Sequence, residues 1–116
     1  MLAGLILYPM AYAHGLPVLP VQNLFQECVA VTASAPYTVN GRVYIDADMR
    51  IIQPAGHCGC TSTAAAYSLL NTDGMTLLQA RFDLIRSEKK KLHLGKAAEF
   101  SKQSDVSLRI GCAGPP

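Results

Sequence analysis

The first 26 residues of the chain lack charge: they contain no aspartate, glutamate, lysine or arginine, and Glu27 is the first charged residue. The apolar run at residues 2–8 is shorter than the roughly 20 residues needed to cross a bilayer. Ala11-Tyr12-Ala13 then supplies the small-x-small pattern that signal peptidases accept. We therefore predict a signal peptide over residues 1–13 and no membrane span in the mature chain. The alternative, left open by the lack of a basic residue before the apolar run, is an ordered strand of a cytoplasmic protein.

The chain also lacks a strong net charge. Its 10 lysines and arginines and 8 acidic residues give a formal charge of +2 over 116 residues. Proteins that bind nucleic acid usually carry a dense basic stripe, so we expect no nucleic-acid partner. The basic run at residues 86–91 includes Glu88 and lies between two apolar alternations, which predicts a solvated hairpin tip. Half of the residues are hydrophobic, which is enough apolar surface for one folded domain.

Catalytic signatures are missing as well. The sequence has no Gly-x-Ser-x-Gly elbow, no phosphate-binding loop and no His-Glu-x-x-His helix. Asp46 and Asp48 fall on one face of a predicted strand and could share a cation, but an ordinary solvated face is the simpler interpretation. These absences favour a non-enzymatic binding or structural module and no cofactor.

Four cysteines are present, namely Cys28, Cys58, Cys60 and Cys112. An even number of cysteines in a short exported chain predicts two disulfides and a periplasmic or secreted location. A bond between Cys58 and Cys60 would close a strained ring, so we expect one of them to bond to Cys28 and the other to Cys112. The spacing does not decide which. Bridges that close loops of roughly 30 and 50 residues stabilise a domain by about 3 to 4 kcal/mol each.

The alternative for these residues is chemistry at His57, Cys58 and Cys60, where an imidazole lies beside two sulfurs. This arrangement could serve a thiol–disulfide or cysteine-dependent enzyme, or bind a metal as thiolates. Zinc sites normally use the wider Cys-x2-Cys spacing with a second pair of ligands. The structural bridge is therefore the preferred interpretation.

A copper site is a further alternative. Cleavage after Ala13 would make His14 the mature N-terminus, where the free amine and the imidazole could chelate Cu(II) together. His57 or His93 could supply a third nitrogen. The competing interpretation is an ordinary terminal histidine with no ligand, because chain termini are usually mobile.

Strand periodicity dominates the rest of the chain. Apolar residues at 43, 45, 47, 49 and 51 alternate with polar ones, and the same holds at 78–84 and 106–112. Cys60–Leu70 is also predicted to be extended. The alanines at 64–66 and an apolar helical face over residues 77–85 leave a helix as the alternative for these two segments. Asn40-Gly41 indicates a tight turn. We predict an all-β fold, a small antiparallel sandwich or barrel of about six to seven strands, stapled by the disulfides.

The domain boundaries follow from composition. Two prolines within residues 15–20 suit an extended N-terminal arm better than a helix, so we assign residues 14–26 to an arm and 27–116 to a single β domain. The first strand is predicted at Cys28–Ala33. A partner protein would meet an exposed strand edge or this arm.

The cysteines and turns together resemble those of a known group of proteins. The resemblance rests on four segments: Cys28 in an opening strand, Ser34-Ala35-Pro36-Tyr37, Cys58-Gly59-Cys60-Thr61-Ser62, and the closing Leu108–Ala113 with Cys112-Ala113-Gly114-Pro115. Over about residues 25–114 the chain resembles small exported bacterial β domains of unknown function. The resemblance implies a fold and a compartment, and it transfers no active site.

Overall fold

The fold is described here for residues 18–103 and 105–113 of a computed structural model. The predicted all-β class is confirmed, with eight strands in these residues arranged in two sheets. The strands are β1 (Val21–Asn23), β2 (Val29–Ala33), β3 (Tyr37–Val39), β4 (Arg42–Ile51), β5 (Ala64–Leu70), β6 (Thr76–Asp83), β7 (Glu88–Lys96) and β8 (Ser107–Cys112). A 3-10 turn at Ala55–Cys58 and a short helix α1 at Ala97–Phe100 complete the described elements. No helix in the described ranges is long and apolar enough to cross a membrane.

The first sheet has the order β1-β8-β5-β6, and its one parallel pair joins β1 to β8. β1 lies inside the segment predicted as an extended arm, so the first strand begins earlier than the predicted Cys28. The Asn23 side chain holds the next turn in place, since its amide donates to the Val29 carbonyl at 2.8 Å and its oxygen accepts from the Phe25 N–H at 3.0 Å. Phe25 is buried as a result. A three-residue strand that directly follows Pro20 is too short to show an alternation, so the pattern did not reveal it.

The second sheet is built on β4, the strand with the clearest alternation in the sequence. β7 pairs along one edge of β4, while β2 and β3 pair with successive halves of its other edge. Asn40 and Gly41 both have positive φ, and they form the predicted tight turn between β3 and β4. Ser34 bridges the gap between β2 and β3, because its hydroxyl accepts the Asp46 N–H at 2.9 Å.

The predicted hairpin tip at residues 86–91 is wrong. Glu88–Lys91 already belong to β7, and β6 and β7 lie in different sheets rather than in one hairpin. The register places Lys90 opposite Ala47, on the core side of the sheet. Lys90 is accommodated there because its ammonium lies 5.9 Å from the centre of the Phe82 ring and 3.1 Å from the Glu88 carboxylate. The strand was not predicted because charged residues occupy positions on its core side, where an alternating pattern has apolar residues.

The core lies between the two sheets and draws alternate residues from both. Its fully buried large side chains are Val29, Ile45, Met49, Leu69, Leu108 and Ile110, together with Cys28. Tyr67 of β5 joins the sheets directly, since its hydroxyl donates to the His93 carbonyl oxygen of β7 at 2.8 Å. Burial raises the pKa of Tyr67 above its usual value. The segment predicted to be extended, Cys60–Leu70, contains β5, which begins at Ala64, and the alternation predicted at 78–84 is β6. The helical alternatives for both segments are wrong.

Candidate functional site

Two disulfides cross-link one end of the sandwich. They join Cys28 to Cys58 and Cys60 to Cys112, closing sequence separations of 30 and 52 residues. Cys28 directly precedes β2 of the second sheet, and Cys112 ends β8 of the first. The Cys58-Gly59-Cys60 segment is thus bonded to both sheets, and the positive φ of 88° at Gly59 lets the chain turn between its two sulfurs. Two disulfides fit an extracellular or secreted protein.

The histidine and sulfurs considered for chemistry are separated by this bonding. No described cysteine is free, so neither Cys58 nor Cys60 carries the thiolate that a cysteine nucleophile requires. His57 lies exposed on the 3-10 turn, where its Nδ1 is 3.2 Å from the side-chain oxygen of Gln53. It contacts solvent and a neighbouring amide rather than a reactive group.

The three residues of the copper hypothesis are not brought together among the described residues. His14 lies outside them. His93 pairs with Tyr44 near one end of β4, whereas His57 follows the opposite end, roughly 20 Å away along the strand. The described part of the chain holds no group of three histidine, cysteine or acidic side chains that could bind a metal ion. The copper site stays a prediction.

An aromatic and charged row covers the outer face of the second sheet. Tyr37 and Tyr44 have ring centres 6.1 Å apart, and Tyr44 lies 5.4 Å from the His93 ring and 5.0 Å from the Lys91 ammonium. The Tyr37 hydroxyl donates to Asp46 at 2.6 Å. Asp46 is therefore engaged by a protein donor and stands opposite Lys91, which suits a structural role better than the shared cation considered for Asp46 with Asp48.

The hydrogen bond to Asp46, with smaller contributions from burial and charge, raises the pKa of Tyr37 to about 12. Because this pKa lies above the unfolded value near 10, the bond stabilises the fold fully below pH 10 and is lost as the pH rises through 12. We expect Asp46→Asn to lower the pKa of Tyr37 towards 10, as followed by NMR titration of labelled tyrosine rings with Tyr37→Phe for assignment. An unchanged midpoint in the variant would contradict the assigned cause.

An apolar cleft of about 450 Å³ opens between the sheets at the disulfide end. Its walls are mainly the side chains of Phe25, Val29, Ile51, Ala65, Leu84 and Ile85, and hydroxyl-bearing residues 61–63 form part of the lining. A larger groove of about 660 Å³ elsewhere on the surface includes more polar groups, among them Asn71, Gln103 and Asp105. The disulfide-end cleft is the more apolar of the two, and it lies directly beyond the C-terminal end of β6.

β6 has no strand partner on the side away from β5 among the residues that the structure describes. Leu84 donates its N–H to the Thr63 carbonyl at 2.9 Å, which fixes the alternation of the β5–β6 ladder. Residues 78, 80 and 82 therefore direct their backbone groups at β5, and the backbone groups of Gln79 and Asp83 point away from β5 along the edge of the sheet. No strand among the described residues pairs with these two residues on that side, so they can receive an added strand.

Three other edge strands are less suited to pairing with another chain. β7 carries Lys89, Lys90 and Lys91, and lysine on an edge strand discourages pairing with another chain. β1 and β3 have only three residues each. β6 has eight residues, and exposed apolar side chains flank it, with Met75 63% and Ile85 65% exposed. It is the long edge with the least protection.

The sequence predicted that a partner would meet an exposed strand edge, but it did not indicate which strand. Unpaired backbone groups cannot be recognised from a sequence, because they depend on which strands become neighbours. The available signal was the pair of apolar residues Met75 and Ile85 at the two ends of an alternating segment, where turn residues would ordinarily be polar. The cleft residue Phe25 was missed because it lies in the segment assigned to the arm.

The fold and its bonding define a class: a small disulfide-linked β sandwich with an apolar cleft at one end. A family model described as "Uncharacterized protein conserved in bacteria (DUF2195)" matches residues 4–115. The chain belongs to this family, and the resemblance to a small bacterial family of unknown function is thereby confirmed. No curated protein matches the chain. No solved structure matches it either.

Proposed function

We propose that this protein is an exported, non-enzymatic binding module that takes up an extended segment of a partner protein along the free edge of β6. The proposal rests on the direction of the backbone groups of Gln79 and Asp83, which point away from β5 beside an apolar cleft. The module acts in the periplasm or outside the cell. The uncharged leader at residues 1–13 and the two disulfides support that location.

Strand addition suits this edge for energetic reasons. Hydrogen bonds from the main chain of the added segment give affinity that depends little on sequence, and pockets for alternate side chains give specificity. An added antiparallel strand would begin near the end of β6 that adjoins the cleft. An apolar side chain near its start can therefore enter the cleft between Leu84 and Ile85.

The burial and pairing of the β6 residues also determine which side chains the partner segment should carry. Leu78, Ala80 and Phe82 are half-buried on the core side of β6, and residues opposite them belong to the closer, non-hydrogen-bonded pairs. The partner segment should thus carry apolar side chains at every second position. A length of about eight residues matches the strand at 3.3 Å per residue.

The test is a selection of displayed random peptides on the immobilised, oxidised protein, followed by NMR amide exchange on the complex. We expect enrichment of segments with alternating apolar residues, and protection of the amides of Gln79 and Asp83 when a selected peptide is added. Gln79→Pro removes an outward N–H without breaking the β5–β6 ladder, and it should abolish binding. Gln79→Ala keeps that N–H and is the matched control.

Thermal unfolding of Gln79→Pro checks that the variant remains folded. Binding that survives in a folded Gln79→Pro protein, or protection confined to other strands, would contradict the assignment of β6.

A further inference from the structure

The cleft at the disulfide end has apolar walls. None of the described residues that form its lining is acidic or basic. Ile85, one of these lining residues, is 65% exposed, whereas Phe25 and Val29 are buried. The volume of about 450 Å³ lies within the range of roughly 300 to 1,000 Å³ that is usual for small-molecule sites. An apolar molecule in this space would remove hydrophobic surface from water.

One part of the lining is rich in hydrogen-bond donors. Thr61, Ser62 and Thr63 are exposed, and their backbone N–H groups have no acceptor within the described residues. The Ser62 hydroxyl accepts the Ala64 N–H at 3.1 Å, which leaves its own hydrogen for another acceptor. The backbone N–H groups and the hydroxyls of three successive residues thus lie beside an apolar space.

This combination indicates the chemistry of the ligand. A carboxylate only accepts hydrogen bonds, and its charge makes those bonds shorter and stronger than neutral ones. The described lining of the cleft holds no acidic side chain that would repel it. The larger groove of about 660 Å³ includes Asp105, whose carboxylate opposes an anion. The disulfide-end cleft therefore suits an apolar chain that ends in a carboxylate.

We propose that the cleft binds a fatty acid, with the hydrocarbon chain between the two sheets and the carboxylate at residues 61–63. The site goes beyond the proposed function, because its ligand is a free small molecule and the backbone groups of β6 take no part. The two ligands meet only where the apolar side chain of a partner segment would enter beside Leu84 and Ile85. A bound fatty acid therefore competes with a partner segment at that place.

The first experiment is calorimetric titration of the oxidised protein with straight-chain carboxylates of about six to twelve carbons, at about pH 8 where they are ionised. We expect the dissociation constant to fall about threefold to fourfold for each added methylene until the chain fills the cleft, because each methylene buries more apolar surface. The methyl ester of the same chain should bind at least about tenfold more weakly, since it lacks the charge that strengthens the hydrogen bonds to residues 61–63.

A variant that fills the cleft tests where the chain lies. Gly56 belongs to the lining, and a Cβ added to it meets no atom within 4 Å, so a larger side chain fits there without displacing the fold. Gly56→Leu should weaken the binding of decanoate at least about tenfold by occupying the space. Gly56→Ala is the matched control and should change the affinity by less than about threefold. Thermal unfolding checks that both variants are folded.

A second variant tests the carboxylate end without filling the cleft. Thr61→Val with Thr63→Val removes two hydroxyls at nearly constant volume. It should reduce the tenfold preference for decanoate over its methyl ester to about threefold, because the carboxylate loses two donors. Thr38→Val removes an exposed hydroxyl from β3, in the second sheet, and should leave that preference unchanged.

The outcomes separate this site from the binding module. Affinity that does not rise with chain length, equal binding of carboxylate and ester, or binding only to vesicles of anionic phospholipid would each overturn the fatty-acid site. A protein that binds selected peptides but no carboxylate also overturns the site and leaves the proposed function intact. A protein that binds decanoate but selects no peptide contradicts the proposed function alone. Gln79→Pro should abolish peptide binding and leave the affinity for decanoate unchanged.

Discussion

Replacing both Cys28 and Cys58 by alanine is expected to lower the free energy of unfolding by about 4 to 5 kcal/mol. Opening a loop of 30 residues costs about 3.5 kcal/mol through the entropy of the unfolded chain. Cys28 is fully buried, so the loss of its sulfur also removes core contacts worth about 1 kcal/mol. The whole stability of a domain of this size is about 5 to 15 kcal/mol, which makes this bridge a large part of it.

The matched comparison is the pair Cys60→Ala, Cys112→Ala. Its loop of 52 residues is longer and contributes about 4 kcal/mol, but both sulfurs are only half-buried and little packing is lost. We therefore expect the shorter loop to cost at least as much as the longer one. Denaturant unfolding of the two variants under oxidising conditions measures both values. A loss below about 1 kcal/mol for either pair would show that the bridges are incidental to stability.

Ile110→Ala is expected to lower the free energy of unfolding by about 2 to 5 kcal/mol. Ile110 lies on β8, which pairs with both β1 and β5, and its side chain is fully buried between the sheets. Truncation leaves a cavity that strands held on both sides cannot easily close. The same denaturant measurement gives the value.

Ile52→Ala provides a control with the same change of residue, because the Ile52 side chain is 59% exposed just after β4. Its expected effect is within about 0.5 kcal/mol. Similar losses in both variants would contradict the placement of β8 at the centre of the first sheet.

The parts of the fold that the sequence predicted are those set by local pattern. The alternation at residues 42–51 identified β4 because this strand has one buried and one wet face. Asn40-Gly41 identified its turn, since positive φ at both positions favours these residues. Because a bond between Cys58 and Cys60 would be strained, each of these cysteines was predicted to bond to Cys28 or Cys112. In the structure, Cys58 is bonded to Cys28.

The parts of the fold that the sequence did not predict depend on tertiary neighbours. β1 becomes a strand because β8 offers a parallel partner, and three residues carry too little pattern to show this. Lys90 can face the core side because its ammonium contacts the Phe82 ring and the Glu88 carboxylate, although neither residue pairs with Lys90 in the ladder. The open edge of β6 and the cleft beyond it depend on where the two sheets end. No single segment of the sequence determines that.

Non-reducing intact mass and peptide mapping of protein isolated from a bacterium that expresses it will show whether this cross-linked sandwich works outside the cytoplasm. We predict a chain that begins at His14 and contains the bonds Cys28–Cys58 and Cys60–Cys112, with no free thiol. A full-length chain with four reduced cysteines in the folded protein would contradict both the disulfide bonding and the location outside the cytoplasm.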